Sequence, residues 1–321
     1  MSDQLWLIGA GRMATAYAAV LAELGVNPMV VCRSQASAER FGAATGLLSM
    51  AGGVSAGLAR AGGPPASAIV AIDVAELTGT VQALIRAGCR RILVEKPGGI
   101  DLAEISETAA LAADHGAEVW LAYNRRFYGS VLAARRGLAE DGGAVSMSFD
   151  FTEASDAIVK IGHRPEVLNE WLLANSTHVI DTAFMLAGEP TAWSTEVAGA
   201  LDWHPRAARF AGHGLTEAGV LFSYMADWDA PGRWAIEISS RSRRFILKPM
   251  EQLQVQTRGS FSVEAQVAED DLDVRFKPGL FRQTRAFLTG EDADLLPTIQ
   301  QHRDRLAAIY SPMLKTQSRG R

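Results

Sequence analysis

Leu5-Trp6-Leu7-Ile8-Gly9-Ala10-Gly11-Arg12-Met13-Ala14 is an apolar run of strand length, then two glycines spaced by one residue, then an alanine three positions on. Met13, Tyr17, Val20, Leu21 and Leu24 follow at helical spacing, so the segment reads as strand, tight turn and helix. In that grammar Gly9 permits the turn, Gly11 lets the backbone approach a pyrophosphate, and Ala14 keeps the helix close to the strand. The amide-rich N-terminus of such a helix attracts phosphate. The reading predicts a dinucleotide-binding domain, with Gly9, Gly11, Arg12 and Met13 at the cofactor.

A second strand, Met29-Val30-Val31-Cys32, ends in Arg33-Ser34, where an NAD enzyme usually carries an acid for the ribose 2′-hydroxyl. A guanidinium and a hydroxyl there suit a 2′-phosphate. NADP(H) is therefore expected over NAD(H), with Arg33 and Ser34 as its readers; the alternative is that Arg33 is a solvated strand-end residue. Strand and helix patterns then alternate. Residues 37–45 read as a helix and Leu47-Leu48 as a short strand, and residues 51–67 are rich in Gly, Ala and Pro, with Gly62-Gly63-Pro64-Pro65 marking a turn. Strands are expected at Ile69–Ile72 and Val119–Ala122, with helices carrying Leu77, Val81, Leu84 and Ile85 and then Leu102, Ile105, Ala109 and Ala112. This succession predicts a doubly wound parallel sheet.

Between those helices stands Arg91-Ile92-Leu93-Val94-Glu95-Lys96-Pro97-Gly98-Gly99, a buried strand that stops at a charged pair, a proline and two glycines. Ligands of open α/β sheets gather at that carboxyl edge. Lys96 is the first catalytic candidate, and Glu95, Lys96 and Pro97 join the cofactor-facing residues.

After Tyr123-Asn124-Arg125-Arg126-Phe127 the pattern changes to period two: Val145, Met147, Phe149 and Phe151 alternate with Ser146, Ser148 and Asp150. Further strands are expected at residues 193–197, 220–225, 234–238, 245–247, 253–257 and 261–263, with helices over 167–186, 281–288 and 298–310 and a loose basic tail from Lys315. The expected fold is α/β: an N-terminal domain over residues 1–122 and a C-terminal α/β domain over 123–321 with a largely antiparallel open sheet.

Composition narrows the function. Of 321 residues, 31 are Lys or Arg and 36 Asp or Glu, a formal charge of −5 without a basic stripe, which argues against nucleic acid. No apolar run approaches the roughly 20 residues that span a bilayer, and a soluble cytoplasmic protein is expected. Cys32 and Cys89 show no CxxC or Cys/His pattern and read as reduced and structural, and His163, His204 and His213 lack ligand spacing, so no metal is assigned.

The Gly9–Ala14 turn, Glu95-Lys96-Pro97, Tyr123-Asn124-Arg125-Arg126-Phe127 and His178-Val179-Ile180-Asp181 occur in that order over nearly the whole chain. Together they resemble the Gfo/Idh/MocA oxidoreductases, the group of glucose-fructose oxidoreductase and inositol dehydrogenase. The resemblance implies a Rossmann domain, a C-terminal sheet that joins subunits into a homo-oligomer (dimer or tetramer), and hydride transfer between a nicotinamide and a hydroxyl- or keto-bearing carbon of a sugar-like small molecule. It implies that Lys96 bonds the reacting oxygen, that Pro97 shapes its loop through a cis bond, and that His178 takes or gives the hydroxyl proton, the two meeting across a cleft. Such chemistry asks for a base of moderate pKa and a cation near the developing alkoxide.

The chain departs from the family at one place. Many members carry an aspartate one helical turn before the histidine, and here that position is Ala174. Asn175 and Asp181, each three residues from His178, share its helix face; Asp181 either orients His178 or ties the helix to a neighbour. Arg125 and Trp171 are further substrate-binding candidates, with a solvated junction arginine the alternative for Arg125. The lost acid leaves open a dehydrogenase relying on Lys96 and His178, a reductase working mainly toward the alcohol, and a non-catalytic dinucleotide-binding regulator on the same fold; a redox-neutral glycosidase or epimerase that retains its nicotinamide is a separate alternative.

Overall fold

Apolar strands of four or five residues, each followed by an amphipathic helix, give the first half its architecture. A computed structural model describes residues 4–266 and 271–315, and the chain divides into two compact units, one of residues up to Asn124 together with Val274–Asp304, the other of Arg125–Asp273 together with the residues from Arg305 on.

In the first unit β1 (Leu5–Ile8), β2 (Met29–Val31), β3 (Ser49–Met50), β4 (Ser67–Val70), β5 (Arg91–Glu95) and β6 (Glu118–Ala122) form one sheet in the order 3-2-1-4-5-6. Every pairing is parallel, and Leu5 to Ile8, Ala68 to Val70 and Ile92 to Val94 are buried, as a sheet covered on both faces requires. The helices α1 (Arg12–Glu23), α2 (Gln35–Thr45), α3 (Gly53–Ala61), α4 (Val74–Ala87) and α5 (Leu102–His115) connect them. Asp73 and Asp101 cap α4 and α5 by accepting from the amides of Ala75 and Glu104 at 3.1 and 3.0 Å, and glycines 88 and 116, both at positive φ, end them. The strand order reverses between β1 and β4, which makes their carboxyl ends the ligand-binding edge of this fold.

The second unit carries α6 (Gly129–Glu140), β7 (Ser146–Asp150), α7 (Ser155–Ile161), α8 (Pro165–Asn169), a π-helical turn (Leu172–Ser176), α9 (Thr177–Ala187) and seven further strands. These are β8 (Pro190–Ala198), β9 (Arg209–Thr216), β10 (Leu221–Asp227), β11 (Ala235–Ser239), β12 (Arg243–Leu247), β13 (Leu253–Thr257) and β14 (Val263–Gln266). The sheet order is 14-13-12-11-7-10-9-8, antiparallel except between β7 and β10. Alternation places Met147, Phe149, Phe222 and Tyr224 inward under α9, where Phe149 stacks on Tyr224 at 5.3 Å and meets Phe184 edge-on at 5.6 Å. Leu221 and Met225 point outward, 64% and 63% exposed.

The parallel and largely antiparallel sheets are those expected, but several parts of the reading change. Residues 274–304, placed with the C-terminal half by the sequence, pack on the N-terminal sheet: α10 (Asp271–Arg275) leads to α11 (Leu280–Thr289), which lies against α1, and α12 (Ile299–Arg305) follows. The short strand expected at Leu47-Leu48 lies at Ser49–Met50, and the Gly- and Ala-rich stretch from residue 51 contains a helix, α3, whose Gly57 passes so close to Trp6 that a Cβ would sit 2.9 Å from the indole. The helix expected over 167–186 is three pieces, α8, the π-turn and α9. The basic tail falls on residues 316–321, outside the described residues. Among the described residues no helix is long and apolar enough to cross a membrane, and no group of three His, Cys, Asp or Glu side chains is placed to hold a metal. Cys32 and Cys89 are buried free thiols, and burial pushes Cys89 up to about 11.

Candidate active site

In the N-terminal unit the glycine turn forms as its spacing demands. Gly9 has φ +125°, and a Cβ there would lie 2.2 Å from the carbonyl oxygen of Ala71 at the end of β4. Gly11 is the N-cap of α1 at φ −90°, and a Cβ on it meets no described atom within 4 Å. The two glycines thus serve different ends: Gly9 lets the strands close on each other, whereas Gly11 leaves open space beside the free amides of α1, room that a phosphate group fits. Gly9→Ala is expected to cost about 1–3 kcal/mol from backbone strain alone, with the overlap added, and Gly11→Ala to keep the wild-type urea midpoint. Equal midpoints for both variants would contradict this division.

Arg12 is exposed, and the Met13 sulfur lies 2.9 Å from the Lys277 ammonium. Arg33 leaves β2 with its side chain 81% exposed and 3.6 Å from Glu76. Ser34 caps α2, its Oγ accepting from the Ser37 amide at 3.3 Å. At the end of β5 the Glu95 carboxylate accepts from the Tyr17 hydroxyl at 2.9 Å, and Tyr17 in turn accepts from Gln283 Nε2 at 2.9 Å. Burial, reinforced by Glu95, holds the Tyr17 phenol well above its ordinary pKa, so it stays a donor that fixes Glu95. Lys96 follows half-buried, and the Lys96–Pro97 peptide is cis. Gly98 turns the chain at φ +80°, where a Cβ would press on Leu121 at 2.7 Å.

In the C-terminal unit the predicted residues separate into three groups. Asp181 lies in a buried ion cluster: Arg126 donates to both of its oxygens, at 2.6 and 2.8 Å, and Arg305 donates to it and to Glu189. Its side chain is 1% exposed, so it ties α9 to its neighbours, the second of the two roles considered for it. Trp171 is buried against the rings of His163 and Trp203 at 5.1 and 6.1 Å. Arg125, Asn175 and His178 gather about a third place. The Arg125 guanidinium lies 4.5 Å over the Trp234 ring, and the His178 ring, 6% exposed as a residue, is 6.1 Å from the same indole. Asn175 donates to both oxygens of Glu153, at 3.1 and 3.0 Å.

Arg125, Glu153 and Trp234 line a pocket of about 270 Å³ with Thr152, Gly232 and Met250. It forms where the loop after β7 meets the loop before β11, and Gly232 is required there because a Cβ would strike Thr152 at 2.6 Å. Glu153 and Trp234 were not singled out in the sequence: an acid in a loop and a tryptophan at a strand start have no spacing that marks them.

No protein-family model matches the chain, and no match is found among curated proteins. Solved structures share its fold. UDP-N-acetylglucosamine 3-dehydrogenase GnnA from Acidithiobacillus ferrooxidans is 17% identical over 95% of this chain and 94% of its own, with TM-score 0.72. An NAD binding oxidoreductase from Klebsiella pneumoniae is 16% identical over 98% and 97%, TM-score 0.75. Levoglucosan dehydrogenase, solved with NADH and levoglucosan, is 17% identical over 97% and 96%, TM-score 0.75. At such identities the likeness establishes the fold.

Proposed function

We propose that the protein is a nicotinamide-dinucleotide-dependent oxidoreductase of the Gfo/Idh/MocA type that acts on a hydroxyl or keto carbon of a sugar, polyol or related small molecule, with NADP(H) preferred. One observation carries the reading: the Gly9–Gly11 turn stands at the switch point of a 3-2-1-4-5-6 sheet whose β5 ends in Glu95 and is followed directly by Lys96. The structural neighbours support it, since one is a structure with NADH and levoglucosan bound. A bound nicotinamide supplies hydride exchange with a carbinol carbon. The amides of α1 hold the pyrophosphate, and Lys96 donates to the reacting oxygen and stabilises its developing charge. His178 moves the hydroxyl proton, and Trp234 gives the sugar ring an apolar wall. The outward Leu221 and Met225 of β10, with Leu215 beside them on β9, support a homo-oligomer built through this sheet.

The cofactor preference rests on Arg33 and Ser34 at the end of β2, where no carboxylate follows the strand. Titration with NADPH and NADH, followed by tryptophan and cofactor fluorescence, should show tighter NADPH binding. Arg33→Ala should weaken NADPH about tenfold, the scale of one charge-assisted hydrogen bond, and leave NADH unchanged. Equal affinity of wild type for the two would sink the preference, and binding without turnover would favour a regulator.

A further inference from the structure

The acid missing from the His178 helix directs attention to the turn that lost it. Ala174 lies in the π-helical turn Leu172–Ser176, and the two residues after it, Asn175 and Ser176, both donate to one carboxylate, that of Glu153. Ser176 Oγ reaches Glu153 Oε1 at 2.7 Å, so with Asn175 three hydrogen bonds fix this side chain, which is 6% exposed. The carboxylate therefore rests against the very turn from which the usual aspartate is absent, and it arrives from the loop after β7. It also lines the pocket whose Trp234 wall neighbours the His178 ring.

A carboxylate taken out of water costs free energy that neutral donors only partly offset. An apolar side chain would fill the same space without that cost. A fixed carboxylate in a pocket wall is an acceptor for hydroxyl groups, and its site is rigid because Asn175 and Ser176 sit on a helical turn of the kind often found at functional sites.

We propose that Glu153 is the carboxylate of the reaction site, supplied by the β7–α7 loop in place of the acid that the helix lacks at Ala174. It accepts a hydrogen bond from a hydroxyl of the bound substrate and so fixes the carbinol whose proton His178 moves. The substrate class follows: a polyol or sugar ring with a second hydroxyl close to the reacting one. This assignment rests on the oxidoreductase reading above.

The test uses the full-length protein with myo-inositol, D-glucose, levoglucosan and UDP-N-acetylglucosamine as probes and NADP⁺ or NAD⁺ as acceptor. Glu153→Gln is expected to lower kcat/KM on the accepted probe at least 100-fold while NADPH affinity stays within twofold. Ala174→Asp in that background, which returns a carboxylate from the helix, is expected to recover at least tenfold, and Glu153→Asp to be intermediate. Activity of Glu153→Gln within threefold of wild type overturns the assignment alone. So does a loss that follows the melting temperature and that neither Ala174→Asp nor Glu153→Asp recovers. A wild type inert toward every probe overturns the oxidoreductase reading itself, and this assignment with it.

Discussion

Asp181→Ala is expected to destabilise the protein by about 3–5 kcal/mol, the cost of breaking a buried ion pair. Removing the carboxylate strands two guanidinium groups: Arg126, whose side chain is 6% exposed, and Arg305, 15% exposed. Burial works against the charge on Arg305, and Asp181 is foremost among the groups that outweigh it and hold its pKa above the ordinary value. Asp181→Asn keeps the shape and loses the charge, so most of the loss should persist. The urea midpoint at unchanged slope measures it. A midpoint within about 0.5 kcal/mol of wild type, the range of ordinary surface substitutions, would show that the cluster does not hold α9 in place.

Lys96→Ala and His178→Ala should each reduce kcat about 10²–10⁴-fold, the usual contribution of a positioned proton-transfer or charge-stabilising group. The half-buried Lys96 should be replaceable with little change in stability, whereas the buried His178 is better tested as His178→Gln, which preserves volume. NADPH affinity should survive the change at His178. Retention of a tenth of wild-type kcat by either single variant would remove that residue from the proposed chemistry.

What the sequence showed was what local chemistry enforces. The Gly9 turn and the strand running into Glu95-Lys96-Pro97 are each contained in ten residues, and their constraints, a positive φ and a buried apolar run, are written into those residues. Strand β9 was missed because Arg209–Thr216 carries Gly212 and Gly214, and no apolar alternation survives there. The glycines are needed because a Cβ would strike Tyr224 or Trp193 at 2.4 Å on the strands to either side. Helix α3 lies in a stretch rich in Gly, Ala and Pro, a composition that reads as a loop. The cluster of Arg126, Asp181 and Arg305, and the clasp of Glu153 by Asn175 and Ser176, join residues far apart in sequence. Only the fold brings them together.

The return of residues 274–304 to the first unit has a consequence for synthesis. Gln283 donates to Tyr17, Phe287 packs edge-on against Trp120 at 5.8 Å, and the Leu121 amide donates to Pro297. A ribosome making this chain releases β1 to β6 well before any of these partners exist. At roughly 5–20 residues per second, the intervening segment, Arg125–Asp273, occupies the machinery for about 7 to 30 s. During that interval Tyr17 and Trp120 lack the partners that Gln283 and Phe287 later supply. The unit that holds the parallel sheet is thus begun first and finished last, and a chain cut short of residue 274 would leave it unfinished.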